Sequence, residues 1–177
     1  LNEVRTEQIK NVANDNFESW PESATYGYFG GGAGITYVAT IDRIDFSNET
    51  TSTPFGAGNG LSQARYALAA TQSSSYGYFA GGADPAVSPA YVDTVDRIDF
   101  SNETRSLPGN DLPSERLGLA AVSSSSYGYF GGGDNGVSHF NTINRLDFSN
   151  ETFSAPDNNL SQARQGLSGV SGGASYR

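Results

Sequence analysis

Apolar and polar residues alternate with a period of two over Thr40–Phe46. Ile41, Arg43 and Asp45 fall on one side, and Asp42, Ile44 and Phe46 on the other. This is the period of a β-strand, and apolar side chains on both sides predict packing against a neighbour on each face. Upstream, Tyr26-Gly27-Tyr28-Phe29 is a short aromatic strand closed by glycines that suit a turn or a close backbone approach. Downstream, Ser-Asn-Glu-Thr reads as a turn, followed by a further strand at Thr51–Pro54. After a polar loop, Tyr66–Thr71 alternates again and leads into a second Tyr-Gly-Tyr-Phe.

The whole series then recurs. Tyr-Gly-Tyr-Phe begins at Tyr26, Tyr76 and Tyr127. Thr-[Ile/Val]-[Asp/Asn]-Arg-[Ile/Leu]-Asp-Phe-Ser-Asn-Glu-Thr spans Thr40–Thr50, Thr94–Thr104 and Thr142–Thr152. The strand after the turn returns at Arg105–Pro108 and Phe153–Pro156, and the one leading into the next unit at Leu117–Ser123. A third motif, [Ala/Glu]-Arg-x-x-Leu, occurs at Ala64–Leu68, Glu115–Leu119 and Ala163–Leu167. Three copies of one unit in fixed order, four short strands per copy and no helical period inside it predict an all-β fold. The copies divide as about 24–72, 73–123 and 124–177, after an N-terminal arm or linker at 1–23 in which Val4, Ile9 and Val12 are only loosely helical in spacing.

The unit resembles the kelch family of β-propellers. The resemblance rests on the aromatic strand ending in Gly31-Gly32, Gly81-Gly82 or Gly132-Gly133. It also rests on the Asp45-Phe46-Ser47-Asn48-Glu49-Thr50 strand end with its copies, and on Arg65, Arg116 and Arg164 opening the next strand. The wording of the repeat is most similar to structural proteins of marine tailed phages, cyanophages especially. The resemblance implies three four-stranded blades of about 50 residues, and a virion or extracellular location. One departure is that kelch blades usually carry a Trp after the turn, where Thr51, Arg105 and Phe153 stand; the single Trp is Trp20, outside the repeats. The first copy has no Arg-x-x-Leu strand before it and the last has one to spare, so the C-terminal strand is expected to complete the first blade. Propellers have four to eight blades, which makes half of a six-bladed ring the favoured architecture. The partner is then a second copy, in a homodimer or larger assembly, or else the rest of a longer chain.

Composition narrows the chemistry. The chain has 177 residues, 22 of them Gly, with 12% aromatics and a net charge of −9. Nine of ten basic residues are Arg, with no basic stripe, which argues against nucleic-acid binding. No apolar run approaches the ~18 residues of a membrane span, so no membrane insertion is expected. With no Cys and His139 the sole His, zinc or copper chemistry is excluded, and no cofactor is expected. Asp84, Asp134, Asn135 and Asp157 lie in loops without the oxygen spacing of a calcium loop. Gly30–Gly34 and Gly131–Gly133 do not continue into a phosphate-binding motif. Asn48-Glu49-Thr50 and its copies match a glycosylation acceptor, but Asn and Ser have a local reason to be in that turn.

Two sets of residues stand out. Arg43/Asp45, Arg97/Asp99 and Arg145/Asp147 are spaced for one face of a strand. With Arg65, Arg116 and Arg164 they are expected to form structural ion pairs or Arg-to-backbone bonds between blades. The loops Ala33–Ala39, Ala83–Asp93 and Asp134–Asn141 vary between copies while their flanks do not, and function concentrates on such loops. Three residues before the Thr of each copy stands a ring, Tyr37, Tyr91 or His139, the last joined by Phe140. With Asp84, Asp134 and Asn135 these form a candidate ligand face suited to sugar stacking and hydroxyl recognition. The expected function is a non-enzymatic interaction module binding a surface glycan or protein. A polysaccharide depolymerase using loop carboxylates and a purely architectural subunit are the alternatives.

Overall fold

The computed structural model describes residues 24–56, 59–86 and 90–172; the expected arm at 1–23 lies outside them. Every regular element among these residues is a β-strand. The strands are β1 (Tyr26–Gly30), β2 (Ile41–Asp45), β3 (Thr50–Ser52), β4 (Ala69–Gln72), β5 (Tyr76–Ala80), β6 (Val95–Asp99), β7 (Thr104–Ser106), β8 (Ala120–Ser123), β9 (Tyr127–Gly131), β10 (Ile143–Asp147) and β11 (Phe153–Ser154). They form three antiparallel meanders, ordered β1-β2-β3, β4-β5-β6-β7 and β8-β9-β10-β11.

Register repeats with sequence: Tyr28 opposes Arg43, Tyr78 opposes Arg97 and Tyr129 opposes Arg145. The period-two reading of the central strand is therefore met. Ile41 and Val95 are buried on the side facing the following sheet, Ile98 and Leu146 on the side facing the preceding one. One core cluster joins Ile41, Phe55 and Leu61 to Phe79 and Ile98, between the first and second sheets. A second joins Tyr78, Val95, Leu112 and Leu119 to Phe130 and Leu146, between the second and third. Each sheet is too thin to hold a core alone, so the apolar area is buried between successive sheets.

Two glycine positions show why the aromatic motif is worded as it is. A Cβ on Gly77 would stand 2.9 Å from Ile98 Cγ1 and 3.2 Å from the Phe100 ring, so the Gly between the tyrosines is a seat for the strand opposite. Gly81 and Gly82 have φ of +69° and +105°, and a Cβ on Gly81 would meet the carbonyl oxygen of Arg116 at 2.6 Å. That contact is where the Arg segment of the next unit lies down, with Gly82 N–H donating to Arg116 O at 2.8 Å. Gly32 and Gly133 make the same bond to Arg65 and Arg164. The Gly-Gly and Arg motifs are thus two halves of one contact.

The first sheet departs from the expected four strands. It has three among the described residues, and the C-terminal segment does not lie beside β1. It lies against β8 instead: Ser123 N–H donates to Ser171 Oγ at 2.8 Å, and Gly166 N–H to Gly118 O at 2.8 Å. The latter repeats the bond from Gly118 N–H to Ala67 O that carries the chain from the second sheet to the third. The same local wording drives the same step forward, which puts the segment one place past the third sheet.

Candidate functional site

The three variable loops sit at the same end of their sheets, each pinned by an isolated bridge. Ala33 pairs with Tyr37, Ala83 with Tyr91, and Asp134 with His139, so the ring positions counted from sequence are structurally equivalent. In the second and third loops a second bridge comes from the preceding segment, Tyr66 to Ala83 and Leu117 to Asp134.

The first two rings pack on the chain that follows, and the third stays with its own loop. Tyr37 stacks on Tyr66 with centroids 5.1 Å apart and remains 38% exposed. Tyr91 is half-buried and covers Gly136, whose Cβ would meet its hydroxyl at 2.7 Å. The His139 side chain is 53% exposed, with Nε2 lying 3.6 Å from Asp134 Oδ2. Phe140 does not join these rings; it is half-buried with the Arg116 guanidinium 4.3 Å from its centroid. The polar members serve their own loops. Asp84 accepts from Ala86 N–H, Asp134 from Gly136 N–H, and Asn135 from the N–H groups of Val137 and Ser138. These turns hold the loops in shape and leave Asp134 Oδ2 beside His139.

The arginine set is brought together in a different pairing from the expected one. Arg43 bonds Glu103 of the next unit, not Asp45, with Nη1 to Oε1 at 2.7 Å. Arg97 likewise reaches Glu151, donating to Oε1 and Oε2 at 2.8 and 2.9 Å. Tyr28 and Tyr78 donate their hydroxyls to the same two glutamates, at 3.1 and 3.0 Å. Burial and the bond to Glu103 push the Tyr28 phenol up to about 12, and burial beside Glu151 moves Tyr78 further in the same direction. Phe100 and Phe148 stack on Tyr28 and Tyr78 at 5.4 and 5.5 Å, so each junction closes on one ring pair and one ion pair. Asp45, Asp99 and Asp147 turn inward to their own turns and accept from Ser47, Ser101 and Ser149, which holds all three below the ordinary carboxylate range.

The glutamates reach across because of an unusual backbone. Glu49, Glu103 and Glu151 have φ of 58°, 55° and 57°, the left-handed region that residues other than glycine seldom adopt. The preceding Asn imposes it by accepting from both N–H and Oγ1 of the following Thr, as Asn102 does from Thr104 at 3.0 and 2.6 Å. Sequence reasoning read Ser-Asn-Glu-Thr as a turn and missed the Glu as an inter-sheet ligand. Its presence in all three copies, where any polar residue would serve a turn, was the available signal.

Arg65 and Arg116 cross deeper in the two junctions. Arg65 is fully buried, with Nη1 2.8 Å from Asp96 Oδ2 and Nη2 donating to Phe79 O at 3.2 Å. Asp96 also accepts from Ser62 N–H and Oγ, both at 3.0 Å. In the second junction Asn144 occupies the position of Asp96, and Arg116 donates to Gly132 O and Thr142 Oγ1 at 3.2 and 3.1 Å. Burial lowers the pKa of both arginines, offset at Arg65 by Asp96. Arg145 bonds Ser154 Oγ within its own sheet, and Arg164 is exposed.

Among the described residues no group of three His, Cys, Asp or Glu is placed to hold a metal ion, and no helix is long and apolar enough to cross a membrane. Compared with known family models and curated proteins, the chain matches none.

Proposed function

We propose that the three sheets are blades of a kelch-like β-propeller and that the chain is a non-enzymatic interaction module holding a surface glycan at one end of the blades. The observation that carries this reading is the equivalence of Tyr37, Tyr91 and His139. An identical scaffold presents a different ring or loop at each step, with the Tyr37 ring and the His139 imidazole partly open to solvent. Rings spaced along a rigid row suit the apolar faces of successive sugars, and the Asp134–His139 pair suits their hydroxyls. The resemblance of the repeat to structural proteins of marine tailed phages supports a virion or appendage component that meets a cell surface.

The test is binding of the purified chain to immobilised bacterial lipopolysaccharide and algal polysaccharides, with release of reducing ends followed in parallel. Saturable binding without release is the expected result. Weakening of at least tenfold is expected in the Tyr37→Ala, His139→Ala variant. Release of sugar would favour a depolymerase, and binding that survives the double substitution would overturn the loop-face assignment.

A further inference from the structure

The two ends of the sheet array are left with opposite halves of the junction that the repeat builds twice inside the chain. In each internal junction the earlier sheet offers a Tyr, an Arg on its central strand, and the Arg opening the next segment. The later sheet offers a Phe, a Glu in the left-handed turn position, and an acid or amide on its central strand. The first junction joins Tyr28, Arg43 and Arg65 to Phe100, Glu103 and Asp96. The second joins Tyr78, Arg97 and Arg116 to Phe148, Glu151 and the sheet carrying Asn144.

After the third sheet the donor half stands open: Tyr129 packs edge-on to Tyr127 and Arg145 meets Tyr127 and Ser154, all of their own sheet, and Arg164 is exposed where Arg65 and Arg116 are buried. Before the first sheet the acceptor half stands open: Phe46, Glu49 and Asp42 are all exposed. Exposure marks this face as a junction without its neighbour. Phe29 is 66% exposed, whereas its equivalents Phe79 and Phe130, covered by the preceding sheet, are 5% and 0%. Ile44 is half-exposed where Ile98 and Leu146 are buried. The inner edge of β1 has no partner strand among the described residues, and Val170 at the end of the chain is 90% exposed.

We propose that these faces bind each other between two copies of this chain, so that the third sheet of each copy takes the first sheet of the other. Arg145 then pairs with Glu49, Arg164 with Asp42, and Tyr129 stacks on Phe46. The segment Ser168–Ser171 adds to the free edge of β1 in the register that β4 has on β5, where Ala69 opposes Ala80 and Gln72 opposes Gly77. The contact is head-to-tail, and made twice it closes. Three sheets from each copy give a six-sheet ring in which every sheet face has a neighbour, within the four to eight blades of propellers. Nothing in this depends on the loop face or on any ligand.

Charge reversal tests it, because the two partners of one ion pair lie at opposite ends of the chain. Native mass is measured by light scattering over a range of protein concentration, with circular dichroism as the check on folding. The wild-type chain should give twice 18.6 kDa. Glu49→Arg alone places Arg opposite Arg145 at both contacts, and Arg145→Glu alone places Glu opposite Glu49; each variant should fall to 18.6 kDa. An equal mixture of the two should return to the doubled mass, since every contact in the mixed pair again joins opposite charges. A wild-type chain that stays single, masses that climb without limit, or assembly indifferent to both reversals would each overturn the proposal.

Discussion

Arg65 and Asp96 give the sharpest test of how the sheets are held together. Both side chains are fully buried, 2.8 Å apart, and belong to opposite sides of the first junction. Taking both charges out of water offsets most of their attraction, so the pair adds little net stability over an apolar replacement. Losing one partner is another matter. Arg65→Met leaves a buried carboxylate with Ser62 N–H and Oγ as its donors and the partly exposed Arg105 Nε 3.8 Å away; losing the buried partner of such a pair costs about 3–5 kcal/mol, and Arg105 holds the loss toward the lower figure. Asp96→Asn keeps an acceptor for Ser62 but removes the counter-charge, a loss of about 1.5–3 kcal/mol. The double variant buries no charge and should lose less than the sum of the two by at least ~1.5 kcal/mol, within the range for residues in contact. In a chain of this length 3–5 kcal/mol corresponds to a fall in Tm of about 6–20 °C. Urea unfolding of the wild type, the two single variants and the double variant reads the cycle directly. Additivity within ~0.5 kcal/mol would refute the argument that the charges matter to each other.

Further outcomes follow from the same junctions. Spectrophotometric titration should show Tyr28 and Tyr78 ionising above the ordinary tyrosine range. Their folded pKa values are raised, so their contribution to stability is complete below about pH 10 and fades as pH rises through the folded values, about 12 for Tyr28. Asp45, Asp99 and Asp147 have lowered values, so their stabilisation is present above about pH 4 and lost as pH falls through the folded values. Replacing Ser47, Ser101 and Ser149 together by Ala should flatten that acid limb in thermal melts at pH 2–6.

The all-β class, the three units and their strands were legible in the chain because each rests on local information. Period-two alternation through Ile41, Arg43 and Asp45 sets which side chains share a face. Gly81 and Gly82 announce a backbone that only glycine tolerates, and Asn102 with Thr104 announces a turn. The ring positions Tyr37, Tyr91 and His139 could be counted from the same repeat, because equal spacing on equal strands ends at equal places. What those rings touch could not be counted: Tyr37 on Tyr66 and Tyr91 on Gly136 are contacts with chain 29 and 45 residues further on, which only the packing of one sheet on the next creates. The arginine pairing was missed for the same reason. Arg43 and Asp45 are two residues apart on one face, and proximity along the chain made them the natural pair. Asp45 is instead satisfied by Ser47 within its own turn, while Glu103 is brought to Arg43 by the stacking of sheets. The path of the last segment was likewise decided by packing. The strand count left it free to return to β1, but the bond from Gly166 to Gly118 carries it forward, as the bond from Gly118 to Ala67 carries the chain from the second sheet to the third. Local bonds within a turn are written in neighbouring residues; a junction between sheets depends on residues about 60 apart that meet only when both sheets have formed.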